Sequence, residues 1–212
     1  MDVIINIFKD IVQFFYQYTG DYGIAIVLLT VIVKIFMLPF SIKQRIAIKK
    51  QIIFSKKIEE VKTKYKTNKK KQEEELNKLY LENSKGLFGC LLPVLQLPII
   101  SGLYMSIDRL KIEAMSILIP WAINIGNTDD KFLVPIIYTI ITIVPSLISY
   151  LKVFGDNEET VNLKSILPMI IMGVLITFKA PIALGIYFIT SSLFTLLEDI
   201  GFRIYSRNKK FV

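Results

Sequence analysis

Residues 23–40, GIAIVLLTVIVKIFMLPF, are apolar throughout except for Thr30 and Lys34. At about 1.5 Å of rise per residue, such a helix reaches roughly 27 Å, which is enough to cross the hydrocarbon core of a bilayer. A lysine inside such a span costs roughly 2.5–3.5 kcal/mol on insertion scales, so its ammonium should face protein or water. The stretch therefore predicts a first transmembrane helix, TM1, with an unusual charge inside it.

The composition indicates a polytopic membrane protein. The chain has 212 residues, of which 53% are hydrophobic, and its mean hydropathy is +0.51. Several further apolar runs approach the length of a membrane span. The net charge of +8 lies mostly between residues 41 and 85. A basic segment beside a span is typical of a cytoplasmic face near anionic lipid, and secondarily of contact with an RNA-rich partner.

The chain lacks the residues that most catalytic and metal sites require. It contains a single cysteine, Cys90, and no histidine, which excludes an intramolecular disulfide and the usual zinc sites. A serine–histidine pair is equally excluded, and acids occur within the predicted spans only at the end of TM5, at Glu198 and Asp199. We therefore expect no enzyme activity, no cofactor and no metal. The N-terminal sequence has neither a basic region nor a small-residue cleavage site, so no signal peptide is predicted.

Helical periodicity between residues 4 and 18 predicts an amphipathic helix in the interface plane, with Tyr18 on its apolar side. The fold predicted for the whole chain is all-α, with five transmembrane helices. The predicted order is an external amphipathic helix (1–20), TM1 (23–40), a cytoplasmic helical hairpin (41–86), TM2 (87–107), an external loop (108–131), TM3 (132–150), a cytoplasmic loop (151–162), TM4 (163–179), TM5 (181–200) and a cytoplasmic basic tail (201–212).

Two of the polar segments have patterns of their own. Apolar residues recur at threes and fours on both sides of a predicted turn at residues 66–68, which predicts the antiparallel hairpin. A disordered basic loop is the alternative for this segment. The external loop has an apolar middle, and we expect Trp121 to anchor it at the membrane interface.

The distribution of lysine and arginine predicts the orientation. Residues 41–86 hold 14 of the 26 basic residues and the C-terminal tail holds 4, whereas the N-terminal segment holds 1 and the loop 108–132 holds 3. The positive-inside rule therefore predicts an external N-terminus, a cytoplasmic hairpin and a cytoplasmic C-terminus.

Lys34 and the polar residues of the other spans could together form a wet groove. A snorkelling lysine, extended to the inner interface, is the simpler interpretation of Lys34. Interhelical hydrogen bonding, worth roughly 0.6 kcal/mol on average, is the simpler interpretation of each other residue. The candidates are Thr30 in TM1, Gln96 and Tyr104 in TM2, and Tyr187, Thr190, Ser191 and Ser192 in TM5.

Three segments carry a resemblance to a known family. They are DYGIAIVLLTVIVKIFMLPFSIKQ (21–44), GLFGCLLPVLQLPIISGLYMSI (86–107) and PIALGIYFITSSLFTLLED (181–199), with the basic hairpin between the first two. In order and spacing they resemble the YidC/Oxa/Alb family of membrane protein insertases. The resemblance implies a bacterial cell-membrane protein whose five helices enclose a hydrophilic groove, open to the cytosol and to lipid and closed outside.

The resemblance also implies which residues line the groove. Lys34 matches the family's positive residue in the first span, which is normally arginine, and Gln96 matches its polar position in the second span. The family pattern tyrosine–tryptophan–isoleucine–threonine–serine–asparagine appears here as residues 187–192, YFITSS. Phe188 and Ser192 therefore depart from it. Lysine keeps the charge but lacks the planar fork that pairs with a carboxylate through two bonds.

The implied function is insertion of nascent membrane proteins, whose short polar tails cross the bilayer through the cationic groove. The implied partners are nascent membrane proteins and membrane lipid, with the ribosome and the Sec translocon as further candidates and no small-molecule substrate. Two other classes stay open: a small-solute channel or transporter, and a structural subunit whose Lys34 pairs with an acid on a partner helix.

Overall fold

The chain forms seven α-helices in the residues that the computed structural model describes, which are 2–66, 68–82, 91–110, 114–150 and 163–208. No strand occurs in these ranges, and the all-α prediction is confirmed. The helices are α1 (Asp2–Thr19), α2 (Tyr22–Lys64), α3 (Lys69–Glu82), α4 (Leu91–Leu110), α5 (Leu133–Tyr150), α6 (Leu163–Phe178) and α7 (Ile182–Asn208).

The chain divides into two compact units. The first comprises residues Met1–Phe36 and Pro98–Val212, and the second comprises Met37–Leu97. The predicted cytoplasmic loop at 151–162 lies outside the described residues, as do Cys90, with the first residues of predicted TM2, and the last four residues of the predicted tail.

Helix α1 packs against the core of the first unit through one face. Ile5, Phe8 and Val12 are buried, at the spacing of successive helical turns. The Ser106 hydroxyl of α4 donates a hydrogen bond of 2.9 Å to the Ile5 carbonyl oxygen. Tyr18 differs from the prediction, because it is 77% exposed rather than on the packed side. The helix ends where Gly20 takes a φ of 66°, a conformation that glycine adopts without steric cost.

Helix α2 corrects the predicted boundary between TM1 and the hairpin. It runs unbroken through Pro39 for 43 residues, so predicted TM1 and the first hairpin helix are one element. Proline removes one backbone donor and tends to bend a helix, but a helix can continue through it when neighbouring groups satisfy the freed carbonyl. The composition changes from apolar to basic near residue 41, whereas the backbone remains helical there.

The second unit contains the antiparallel hairpin. The Asn68 side chain caps α3 by accepting a hydrogen bond of 3.3 Å from the Lys71 amide. Gln72 Nε2 donates to the Lys62 carbonyl oxygen across the turn at 3.0 Å. Further along, the rings of Phe54 and Tyr80 meet edge to face with centroids 5.8 Å apart. These contacts join the end of α2 to α3 along their length.

Helix α5 packs against both α6 and α7 in the first unit. Small residues permit the close approach: Gly173 of α6 lies against Thr139 and Tyr138, and Gly185 of α7 lies directly against the side chain of Val134. Interfaces of this kind are typical of helices that associate within a bilayer. Among the described helices, Tyr22–Lys64 and Ile182–Tyr205 contain windows long and apolar enough to cross a membrane, and Leu133–Ile148 is a shorter apolar helix.

Helix α7 extends beyond the predicted end of TM5. It continues to Asn208, so the first part of the predicted tail is helical. Within it, Arg203 Nε donates to Asp199 Oδ2 at 2.7 Å, and both side chains are 14% exposed. Arg203 is therefore part of a shielded ion pair rather than a basic side chain in solvent.

The segment between α4 and α5 is held by the Asp21 carboxylate at the start of α2. Asp21 accepts hydrogen bonds from the Ser116 hydroxyl at 2.8 Å and from the Ile117 amide at 2.7 Å. Burial by itself raises the pKa of this carboxyl, but the bonds from Ile117, Ser116 and the Ile24 amide outweigh it and hold the pKa below its ordinary value of 3.8.

A second carboxylate, Asp129, holds the other end of the same segment. It accepts the Val134 amide at 2.7 Å and so caps α5. It also accepts Trp121 Nε1 at 3.3 Å, which keeps the indole partly buried. Trp121 is therefore bound to its own loop, whereas the most exposed large apolar residues of the loop are Ile117 and Ile123, each 79% exposed.

The loop also completes the start of α7. The Ile182 and Ala183 amides donate to the carbonyl oxygens of Asn127 and Ile125, each at 2.8 Å. The first amides of a helix have no partner within it, so the loop satisfies groups that would otherwise need water.

We expect Gly185→Ala to destabilise the protein by roughly 1–3 kcal/mol, because the added methyl group would overlap Val134 in a packed interface. Thermal unfolding in detergent measures the effect. Gly201→Ala is the matched control on the same helix, since nothing lies within 4 Å of an added methyl group there. Equal destabilisation by both substitutions would contradict the close packing of α5 and α7.

We expect Asp21→Asn to destabilise the protein by about 1–3 kcal/mol at neutral pH, because hydrogen bonds to a charged acceptor are lost in a buried site. The folded pKa of Asp21 lies below 3.8, so its contribution is complete above pH 3.8 and disappears as the pH falls through the folded value. The two proteins should therefore converge in acid. Unfolding measured across pH tests this, with Asp10→Asn on the exposed side of α1 as control.

Candidate substrate-binding groove

Lys34 lies inside the first unit with its ammonium turned toward α7. The residue is 9% exposed, and its Nζ donates a hydrogen bond of 3.0 Å to the Thr195 hydroxyl oxygen. Because α2 and α7 are far apart in sequence, only their packing brings the two groups together. This position differs from that of a snorkelling lysine, whose ammonium would extend to the membrane interface.

Thr195 belongs to a polar face of α7. Tyr187, Ser191 and Thr195 follow one another at four-residue intervals, which places them along one side of the helix. Tyr187 and Ser191 are buried and Thr195 is partly buried. Sequence reasoning found Tyr187 and Ser191 but missed Thr195, although the four-residue spacing could have indicated it.

Two of the remaining α7 candidates, Phe188 and Ser192, face α5. Phe188 is buried, and its ring centroid lies 5.4 Å from that of Tyr138 and 5.6 Å from that of Tyr187. The Ser192 side chain lies close to the Tyr138 hydroxyl. Thr190 is partly buried. Phe188 and Ser192 therefore join α7 to α5, and Tyr138 is a contact residue that the sequence analysis did not identify.

Thr30 lies one turn before Lys34 on the buried side of α2. It is fully buried, and its hydroxyl donates to the Ile26 carbonyl oxygen of its own helix at 2.6 Å. The hydroxyl hydrogen is thereby used within the helix. At this position Thr30 contributes mainly to packing, rather than offering a polar group to the groove.

The two TM2 candidates have different surroundings. Tyr104 belongs to the first unit and is 48% exposed. Gln96 belongs to the second unit and is partly buried.

In the part of the chain that the structure describes, no group of three or more acidic, cysteine or histidine side chains could hold a metal ion.

Long apolar helices, small residues at their interfaces and a buried ammonium define a membrane-embedded helical protein. Residues 14–209 match the 60Kd inner membrane protein family, and the chain belongs to it.

Similar proteins from several bacteria are described as membrane protein insertases. The chain is 30% identical to the membrane protein insertase YidC 2 of Listeria innocua, over 90% of this chain and 67% of the relative. It is 31% identical to the membrane protein insertase YidC of Caldanaerobacter subterraneus, over 91% and 90% of the two chains. These relatives support membrane-protein insertion as the function of the chain.

A solved structure has the same fold. It is described as an active YidC insertase crystal structure with the first transmembrane domain resolved, and the match has a TM-score of 0.63 at 29% identity. The match covers 91% of this chain but only 45% of that structure's chain. The chain thus corresponds to about half of that longer protein.

We expect Thr30→Val to change stability by no more than roughly 1 kcal/mol and to leave insertion of a substrate nearly unchanged. The substitution removes a hydroxyl bonded to its own helix but keeps the buried shape. Unfolding and reconstituted insertion measure the two effects. A large loss of insertion in a stable variant would place the Thr30 hydroxyl in contact with substrate after all.

Proposed function

We propose that this chain moves short polar tails of nascent membrane proteins across the bilayer through a cationic groove and releases their helices into lipid. The observation that carries the proposal is the buried Lys34 ammonium, hydrogen-bonded within a bundle of apolar helices. An ionised side chain inside a membrane protein is costly and usually marks a pathway or binding site.

The groove would act by lowering the cost of desolvation. A polar tail that enters hydrocarbon loses its hydrogen bonds to water, and a charged tail loses more. A hydrated half-channel removes part of that barrier, and Lys34 attracts acidic groups on the tail. The polar face of α7, with Ser191 and Thr195, supplies further hydrogen-bonding groups on the same side.

The apolar surfaces of α5 and α7 would guide the substrate helix into lipid. Both helices expose large apolar side chains while their opposite faces pack together. Such faces allow a departing helix to exchange protein contacts for lipid contacts at little cost, since lipid tails are equally apolar. The exposed side chains include Ile136, Ile140 and Leu147 of α5 and Leu193 and Leu197 of α7.

The orientation proposed for the protein has five spans, an external N-terminus and a cytoplasmic C-terminus. The charge distribution supports it, because residues 41–86 hold 14 of the 26 lysines and arginines. In this orientation the loop 114–132, bound by Asp21 and Asp129, closes the external side.

The basic hairpin would meet the nascent chain first on the cytoplasmic side. The ribosome, the Sec translocon and anionic lipid are the proposed partners there. Because Arg203 is paired with Asp199, contact of the C-terminal tail with RNA or lipid would depend on its other basic residues.

We expect Lys34→Met to reduce insertion of an acidic-tailed substrate by about tenfold or more, while Lys34→Arg retains it. A charge pair at about 4 Å is worth about 4 kcal/mol at an effective dielectric constant of 20, and methionine removes it at similar length. The measurement is protease-protected insertion of a small membrane protein into liposomes that contain the purified protein.

Lys131→Met is the control for loss of a lysine, because Lys131 is exposed in the external loop. Flux of small solutes through empty proteoliposomes would instead indicate a channel. Loss of assembly with a partner subunit in Lys34→Met would indicate a structural subunit. Full insertion by Lys34→Met would exclude the charge as the driving group.

A further inference from the structure

We propose that Thr195 is a positioning residue that holds the Lys34 ammonium in the groove and prevents it from extending to the membrane interface. The inference rests on the function proposed above and adds a residue to its site. It begins from the hydrogen bond of 3.0 Å between Lys34 Nζ and Thr195 Oγ1.

The direction of this hydrogen bond follows from the chemistry of its partners. An ammonium can only donate, and a threonine hydroxyl has one hydrogen and two lone pairs. Thr195 uses its hydrogen on the Ser191 carbonyl oxygen, at 2.8 Å, one turn earlier in α7. Its oxygen is thereby oriented as an acceptor for Lys34.

The threonine side chain is well suited to a fixed position. Its branched Cβ restricts rotation about χ1, and the bond to Ser191 selects a conformation that α7 itself supports. The Thr195 hydroxyl oxygen is therefore already in position, and no side-chain entropy is lost at Thr195 when the Lys34 ammonium binds to it. Serine could make the same two bonds with a less restricted side chain, whereas valine keeps the shape and loses the oxygen.

The alternative position of Lys34 explains why such an acceptor matters. A lysine has a flexible chain of four methylene groups, and a lysine near the end of a membrane span can extend its ammonium to water at the interface. Lys34 lies about 9 Å along the helix from Phe40, so its side chain could cover much of that distance. The Thr195 oxygen favours the inward position, where the charge can act on a substrate tail.

The first test measures the position of the ammonium without a substrate. The full chain in lipid nanodiscs is treated with a water-soluble succinimidyl acetate, and acetylation of Lys34 is followed by mass spectrometry against exposed Lys131. We expect Thr195→Val to accelerate acetylation by about tenfold, because a hydrogen bond to a charged group contributes at least that factor. Thr195→Ser should react at close to the wild-type rate.

Thr142→Val is the matched control for this test. Thr142 is a partly buried residue of α5 whose hydroxyl donates at 2.8 Å to a carbonyl of its own helix, as the Thr195 hydroxyl does. It should leave acetylation of Lys34 unchanged. Wild-type acetylation in Thr195→Val, or equal acceleration by Thr142→Val, would overturn the positioning role.

The second test connects the position to insertion. Substrates that differ only in an acidic or a neutral tail are inserted by wild type, Thr195→Val, Thr195→Ser, Lys34→Met and the double variant of Lys34→Met with Thr195→Val. We expect Thr195→Val to reduce the preference for the acidic tail, whereas Thr195→Ser should retain it. In the Lys34→Met background, Thr195→Val should cause no further loss of preference. A general structural defect would reduce insertion of both substrates alike and would overturn the assignment.

The two tests separate the inference from the function on which it rests. If Lys34→Met retains the full preference for acidic tails, the proposed role of the charge fails, and acetylation still decides whether Thr195 holds the ammonium. If Lys34→Met loses the preference but Thr195→Val neither exposes Lys34 nor changes the preference, the proposed function stands and Thr195 is not a positioning residue.

Discussion

The cost of burying the Lys34 ammonium is the physical constraint that links α2 to α7 in the first unit. A cation removed from water is costly unless a polar partner replaces the lost hydration. Thr195 supplies one such partner from α7, and this contact forms only when α2 and α7 pack together. Helix α5 in turn holds α7 through Gly185 and the contact between Tyr138 and Ser192.

At the other end of the first unit, hydrogen bonds add to the apolar packing of buried residues such as Ile125 and Val134. Asp21 and Asp129 bind an irregular segment whose backbone also completes the first turn of α7. Backbone groups near a membrane must find partners because hydrocarbon offers none. The first unit therefore has many specific hydrogen bonds at the end that contains Asp21 and Asp129. Its buried charge, Lys34, lies further along α2.

The sequence predicted the helices better than their limits or their contacts. Apolar runs and three-and-four spacing indicate where a helix forms, but the change from apolar to basic composition near residue 41 was mistaken for the end of one, and α2 continues to Lys64. The hydrogen bond from Trp121 to Asp129 within the loop was not predicted. Thr30 was counted as a polar lining residue, although its hydroxyl is used by its own helix. These features depend on partners that periodicity does not reveal.

By itself, the sequence determined that the chain is helical and membrane-embedded and that Lys34 is exceptional, because hydropathy, charge and helical period are local properties. The sequence also indicated the family, because the order and spacing of its motifs can be recognised along the chain without a structure. Only the tertiary structure decided that Lys34 meets Thr195, since the two residues are separated by 161 positions. Local periodicity can assign a residue to a face of its helix, but the partner of that face is decided by how the helices pack.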